Sequence, residues 1–125
     1  MPSQNNTGRQ YDKQHGVTII AAAALAACRF VAYDGSYPTI SGGAKDVQGV
    51  TESAAEAAGD AITAITGYSA LVEAGEAIAF GVLVKTDATG KAVTGSAADH
   101  CGRALGAATA AGQLIEVQLY KHVHA

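Results

Sequence analysis

The alternation of apolar and polar positions is clearest near the C-terminus, where Ile115, Val117 and Leu119 take turns with Glu116, Gln118 and Tyr120. A period of two predicts a half-buried β-strand. The residues just before it, GAATAAGQ (106–113), carry the opposite signal, because alanine has the best intrinsic helix propensity. The same conflict occurs earlier, where an alanine-rich run at 54–58 leads through Gly59 into AITAIT (61–66). A helix from Gly49 to Thr66 would carry glycines at about 1 kcal/mol each and β-branched residues at its end. Two short strands joined by AEAAGD or TAAGQ ask for no such tolerance, since glycine supplies the positive φ of a tight turn. The pattern predicts hairpins turning at Gly59 and Gly112, with a turn or two of helix over 52–58 as the alternative.

Elsewhere RFVAYDG (29–35) and VLVKTDATGK (82–91) read as strands running into turns. TIS (39–41) and KAVT (91–94) read as short strands, followed by the glycine-led links GGAKD (42–46) and GSAAD (95–99). Turn signals every ~8–12 residues predict an all-β fold, a compact barrel or sandwich.

Shifted by 53 residues, the chain overlays itself without a gap. Over 18–66 against 71–119 there are fifteen identities in forty-nine positions, eight of them alanines. The other seven are Val31/Val84, Asp34/Asp87, Gly42/Gly95, Asp46/Asp99, Gly49/Gly102, Gly59/Gly112 and Ile62/Ile115. Self-similarity at a fixed offset is the mark of repeated units. It predicts an arm at 1–16, a first β module at 17–68 and a second at 69–125. The paired residues are turn-formers by type: glycines for positive φ, aspartates for bonds to nearby backbone amides.

Composition narrows the function. A formal charge of −3 and a pI near 5.7 give no basic face for nucleic acid. Six acids and no Lys or Arg lie between Asp46 and Glu76, which reads as a solvated face. Cys28 and Cys101 have no metal spacing and make no disulfide framework. No stretch approaches the ~20 apolar residues that cross a bilayer. VTIIAAAALAA (17–27) after Arg9 and Lys13 resembles a secretory leader. Its copy, VEAGEAIAF, carries two glutamates, so strand and turn are the better reading of both.

Candidate chemistry is sparse. His122 and His124 would share one face of an extended strand, but a metal centre needs further ligands and an ordered shell. Asp99, His100 and Cys101 are consecutive, and adjacent strand residues point to opposite faces, which defeats a triad. GSAAD and GGAKD lack the phosphate-loop pattern. No catalytic residue, metal or cofactor is assigned. Outside the repeat, the polar arm holds Arg9, Tyr11 and Lys13, residue types that serve as anchors when a segment is laid on a partner.

The stretch from Glu76 to Leu119, EAIAFGVLVKTDATGKAVTGSAADHCGRALGAATAAGQLIEVQL, resembles the capsid cement, or head decoration, proteins of tailed bacteriophages. It carries the turn in VLVKTDATGK, the Ala-rich glycine-led strand, ATAAG, and the closing alternating strand. The copy at 18–66 departs from the pattern, with Cys28 where Gly81 stands and DGSYP for DATGK. The resemblance implies a β-rich structural virion protein, made in the host cytoplasm and bound to the outside of the head. There it bridges subunits of the major capsid protein, as a homo-oligomer (a trimer at family level), without enzyme activity, nucleic acid or membrane. A soluble module for a small ligand or glycan is the rival class, with Tyr33, Tyr37 and Tyr68 as its candidate contacts.

Overall fold

The structure, a computed structural model, describes residues 15–39 and 43–121. Among these residues nine strands follow one another. The first four are β1 (Gly16–Ile20), β2 (Phe30–Ala32), β3 (Val47–Thr51) and β4 (Ala61–Ile65). The rest are β5 (Ser69–Glu73), β6 (Leu83–Thr86), β7 (Ala92–Thr94), β8 (Gly102–Ala104) and β9 (Leu114–Leu119). Among the described residues there is no α-helix, only a 3-10 turn at Gly43–Lys45. Two antiparallel sheets form, ordered β1-β4-β3-β2 and β5-β9-β8-β6-β7. They stack in a sandwich-like arrangement, so of the two all-β forms expected the closed barrel is not the one adopted.

The alanine runs are therefore not helical. β3 pairs with β4 and β8 with β9, as the hairpin reading requires. The connections are longer than the turns foreseen, because residues 52–60 and 105–113 both lie outside the strands. Each connection touches back through one bridge, Ala55 to Leu25 and Ala108 to Ile78. Both alanines are buried, and a larger side chain there would hold the loop off the sheet. The turns themselves fall at Gly59 (φ 95°) and Gly112 (φ 92°), a region that costs other residues roughly 1–2 kcal/mol. Of the strand expected at 39–41, residues 40 and 41 lie outside the described residues.

Residues 53 positions apart do the same work. Ala21 N–H donates to the Asp60 carbonyl, and Ala74 N–H to that of Gln113. Cys28 donates to Thr51 as Gly81 does to Ala104, and Thr66 to His15 as Leu119 does to Tyr68. At Gly49 an added Cβ would collide with the Ile65 carbonyl, and at Gly102 with that of Gln118, so both sites exclude a side chain. The core of the first sheet is Ile19, Ala21, Leu25, Val31, Ala55, Ile62 and Ala64. Moving each by 53 gives Val72, Ala74, Ile78, Val84, Ala108, Ile115 and Val117, all in the core of the second.

The second core is the larger, because Phe30, Val50 and Ile65 from the first sheet enter it. The first sheet thus buries one set of side chains under its own loops and another against its neighbour. Small domains bury a smaller fraction of their surface, and sharing a core gives each half apolar contact it would lack alone.

Candidate functional site

The two sheets meet along a seam with its own chemistry. Glu73 N–H donates to the Cys28 carbonyl at 2.8 Å, and Phe30 N–H to that of Gly90 at 2.8 Å. The Arg29 guanidinium forks onto Glu73 Oε1 through Nε (3.2 Å) and Nη2 (3.0 Å), and its Nη1 donates to the Thr89 carbonyl at 2.9 Å. Lys91 Nζ lies 3.6 Å from Glu73 Oε2. Charge-assisted forked contacts of this kind fix geometry as well as adding energy. The pair is half-buried, so it retains more of its attraction than a surface pair does.

At one end of the seam an open cleft of about 330 Å³ separates the halves. Val17, Tyr33, Val47 and Gln48 line it from the first half, and Leu119, Tyr120 and Lys121 from the second. Arg103 braces its wall: Nε donates to the Tyr120 hydroxyl at 3.0 Å, and the guanidinium carbon sits 5.8 Å from the ring centroid. His100 meets the same ring edge-on at 6.2 Å, and its Nδ1 lies 3.0 Å from the Ser96 carbonyl. Of the tyrosines named for ligand binding, Tyr33 alone is at the cleft. The Tyr37 hydroxyl accepts from Ala26 N–H at 2.8 Å beside the first core, and Tyr68 is exposed at the start of β5 with φ 52°.

The other sequence-derived candidates fall at turns. Asp34 and Asp87 each accept a backbone amide two residues on, from Ser36 and Thr89. The Lys45 ammonium, 2.7 Å away, and then Ser36 hold the Asp34 carboxyl down at about 2. Asp46 N–H donates to the Gly43 carbonyl as Asp99 N–H does to that of Ser96, and the Asp99 carboxylate lies 3.7 Å from Lys85 Nζ. Cys101 is buried, and that burial pushes its thiol pKa far up, with the charge of Asp99 adding to the effect. A thiol kept protonated is a poor nucleophile. Arg9, Tyr11, Lys13, His122 and His124 lie outside the described residues, and among those described no group of His, Cys, Asp and Glu is placed to hold a metal ion.

Two features escaped the sequence reading. One is the Arg29–Glu73 pair; the other is the exposure of Val17 (38 %) and Ile20 (60 %) on β1. The offset of 53 contains the signal for both: where the second copy has Ala70 and Glu73, the first has Val17 and Ile20, and where the first has Arg29, the second has Val82.

The comparisons bear on this arrangement. The profile of the phage cement protein family matches residues 11–119. No curated protein matches the sequence. Among solved structures, the N base of head fiber gp8.5 of bacteriophage phi29 is similar in fold. It is 20 % identical with a TM-score of 0.61, over 85 % of this chain and 93 % of that one.

Proposed function

Since the chain belongs to the phage cement protein family, a family of head-associated structural proteins, we propose that it binds the outer surface of an assembled head. There it stabilises contacts between neighbouring subunits of the major capsid protein. The family match over 11–119 carries this reading, and the surface is compatible with it. A small acidic β domain repeated over a lattice holds firmly through modest individual contacts, because many weak sites act together. The chain serves as two tandem β modules, 17–68 and 69–125, descended from one unit by duplication. Residues 1–16 act as the arm that anchors it to the shell through Arg9, Tyr11 and Lys13, and the protein works as a homo-oligomer, a trimer being the family-level form.

The test is co-sedimentation with assembled, expanded shells. The full chain is expected to pellet with shells and to raise the temperature at which they open, whereas a chain lacking residues 1–14 stays in the supernatant with its β circular dichroism intact. A full chain that never pellets with shells overturns the proposal. Pelleting unchanged by the truncation overturns only the role given to the arm.

A further inference from the structure

The seam between the two halves leaves a footprint, and its counterpart on the first half is exposed. On β5, Ser69 and Ala70 are buried and Glu73 is half-buried, and Ala92 nearby is fully buried. Their counterparts 53 residues earlier are Gly16, Val17, Ile20 and Thr39, every one exposed. Two of these are larger and more apolar than what they match: Val17, on the wall of the cleft described above, stands for Ala70, and Ile20 for Glu73.

The backbone repeats the contrast. In β1 the odd residues face β4, as the Ala21–Asp60 and Thr66–His15 bonds show, so the amides of Thr18 and Ile20 point to the other side. Among the described residues no strand lies on that side; the turn at Gly35 covers only its far end, where the Ala22 amide donates to the Gly35 carbonyl beside the carbonyl of Ile20. In β5 the matching amide, that of Glu73, is taken by the Cys28 carbonyl of the first half. Edges are usually blunted by charge, bulges or cover. β5 has both the charge of Glu73 and the cover, while GVTII of β1 has no charge and keeps an unbroken register with β4 over five residue pairs.

We propose that β1 is covered by the second sheet of another copy of this chain, in a head-to-tail contact that repeats the internal seam. Shifting the seam by 53 on both sides puts Gly81 in the place of Cys28, Val82 in that of Arg29, and Ile20 of the next copy in that of Glu73. The Arg29–Glu73 ion pair becomes Val82 against Ile20, so at that point neither side brings a charge; Arg103, the charge the shift does bring in, is held within its own chain by the Tyr120 hydroxyl and the Gly81 carbonyl. The Lys91 position becomes Pro38, again uncharged, whereas Gly90, where a Cβ would strike the Phe30 carbonyl, becomes Tyr37, so that the Phe30–Gly90 bond of the internal seam is not repeated between copies. The Gly81 carbonyl already accepts Arg103 Nη1 at 2.7 Å, and its second lone pair remains for the Ile20 amide. The places of Val50 and Ile65 are taken by Arg103 and Gln118, so the contact between copies is more polar than the internal seam and separates more readily. Such a contact is heterologous, closing a ring where its rotation permits. It deepens the homo-oligomer proposed above but does not depend on head binding.

The experiment is sedimentation equilibrium of the full chain without shells. The wild type is expected to self-associate, and Ile20→Glu to weaken association roughly a hundredfold by burying a lone carboxylate. Adding Val82→Arg to that variant rebuilds between copies the pair found within the chain, and is expected to restore association. Circular dichroism confirms folding of each variant, Ile20 being a surface position. A wild type that stays monomeric at all concentrations overturns the inference, as does association that survives Ile20→Glu, or a double variant that remains monomeric. A monomeric wild type whose head binding is lost with Ile20→Glu would assign β1 to the shell instead, leaving the functional proposal standing.

Discussion

The two sheets share the order of four strands and seven core positions, yet they relate differently to the rest of the molecule. The first turns Phe30, Val50 and Ile65 into its neighbour's core, whereas the equivalent Leu83, Arg103 and Gln118 stay half-buried or exposed. The second has its leading edge strand covered and charged; the first leaves that edge largely exposed and apolar. What is common to the halves is what a single unit needs in order to fold: small side chains under loops, glycines where backbones approach, aspartates closing turns. Several of the differences fall where one half packs on the other, at Arg29, Phe30, Val50, Ile65 and Glu73.

The sharpest way to break the comparison is at the shared core. Phe30→Ala is expected to cost about 3–5 kcal/mol, the usual range for truncating a fully buried phenylalanine. The matching change Leu83→Ala should cost less, about 1–2 kcal/mol, since that side chain is only partly buried. Urea unfolding of both variants measures the two values, and equal losses would mean that the halves do not lean on each other asymmetrically.

A smaller effect of opposite sign is expected at one backbone position. Cys28 holds φ 58°, where Gly81 in the other half holds 87°. Cys28→Gly should stabilise by roughly 0.5–1 kcal/mol, as the relief of a left-handed residue exceeds the added chain entropy. Gly81→Ala should destabilise by roughly 1 kcal/mol; space is not the obstacle, since a Cβ there would meet nothing within 4 Å. Melting temperatures moving in the same direction for both variants would contradict this reading.

The smallest effect is electrostatic. Asp34 is held at about 2 by Lys45, whereas Asp87 in the equivalent turn has Thr89 as its neighbour. A carboxylate depressed in the folded state contributes stability above its unfolded value, near 4, and loses it as pH falls through the folded value. The wild-type advantage over Asp34→Asn is thus expected to be present at pH 7 and to fade between about pH 4 and 2. Because the pair is partly exposed, its size should be under about 1 kcal/mol. Denaturant midpoints measured across that pH range test it, and an advantage that persists unchanged at the acid end would remove Lys45 as the cause.

Much of the architecture was legible along the chain. The period of two in LIEVQL, the glycines breaking both alanine runs, and the offset of 53 identified β-structure in place of helix. Those signals are local: backbone conformation answers to residues within a few positions, and a repeated unit answers the same way twice. The longer connections were less legible, because alanine at 55 and 108 is chosen for the space beneath a loop, which no propensity records.

The site was harder to foresee for the same reason. Arg29 and Glu73 lie far apart in sequence, and nothing in either neighbourhood says that they meet. By itself the sequence determined the β-strand pattern in place of helix and the resemblance to cement proteins, and it carries the offset of 53 at which the backbone bonds correspond. Only the tertiary structure decided that the halves pack unequally, with one edge strand covered and the other left largely exposed. Which surface is buried depends on the relative placement of two units, and that is fixed by contacts between distant residues.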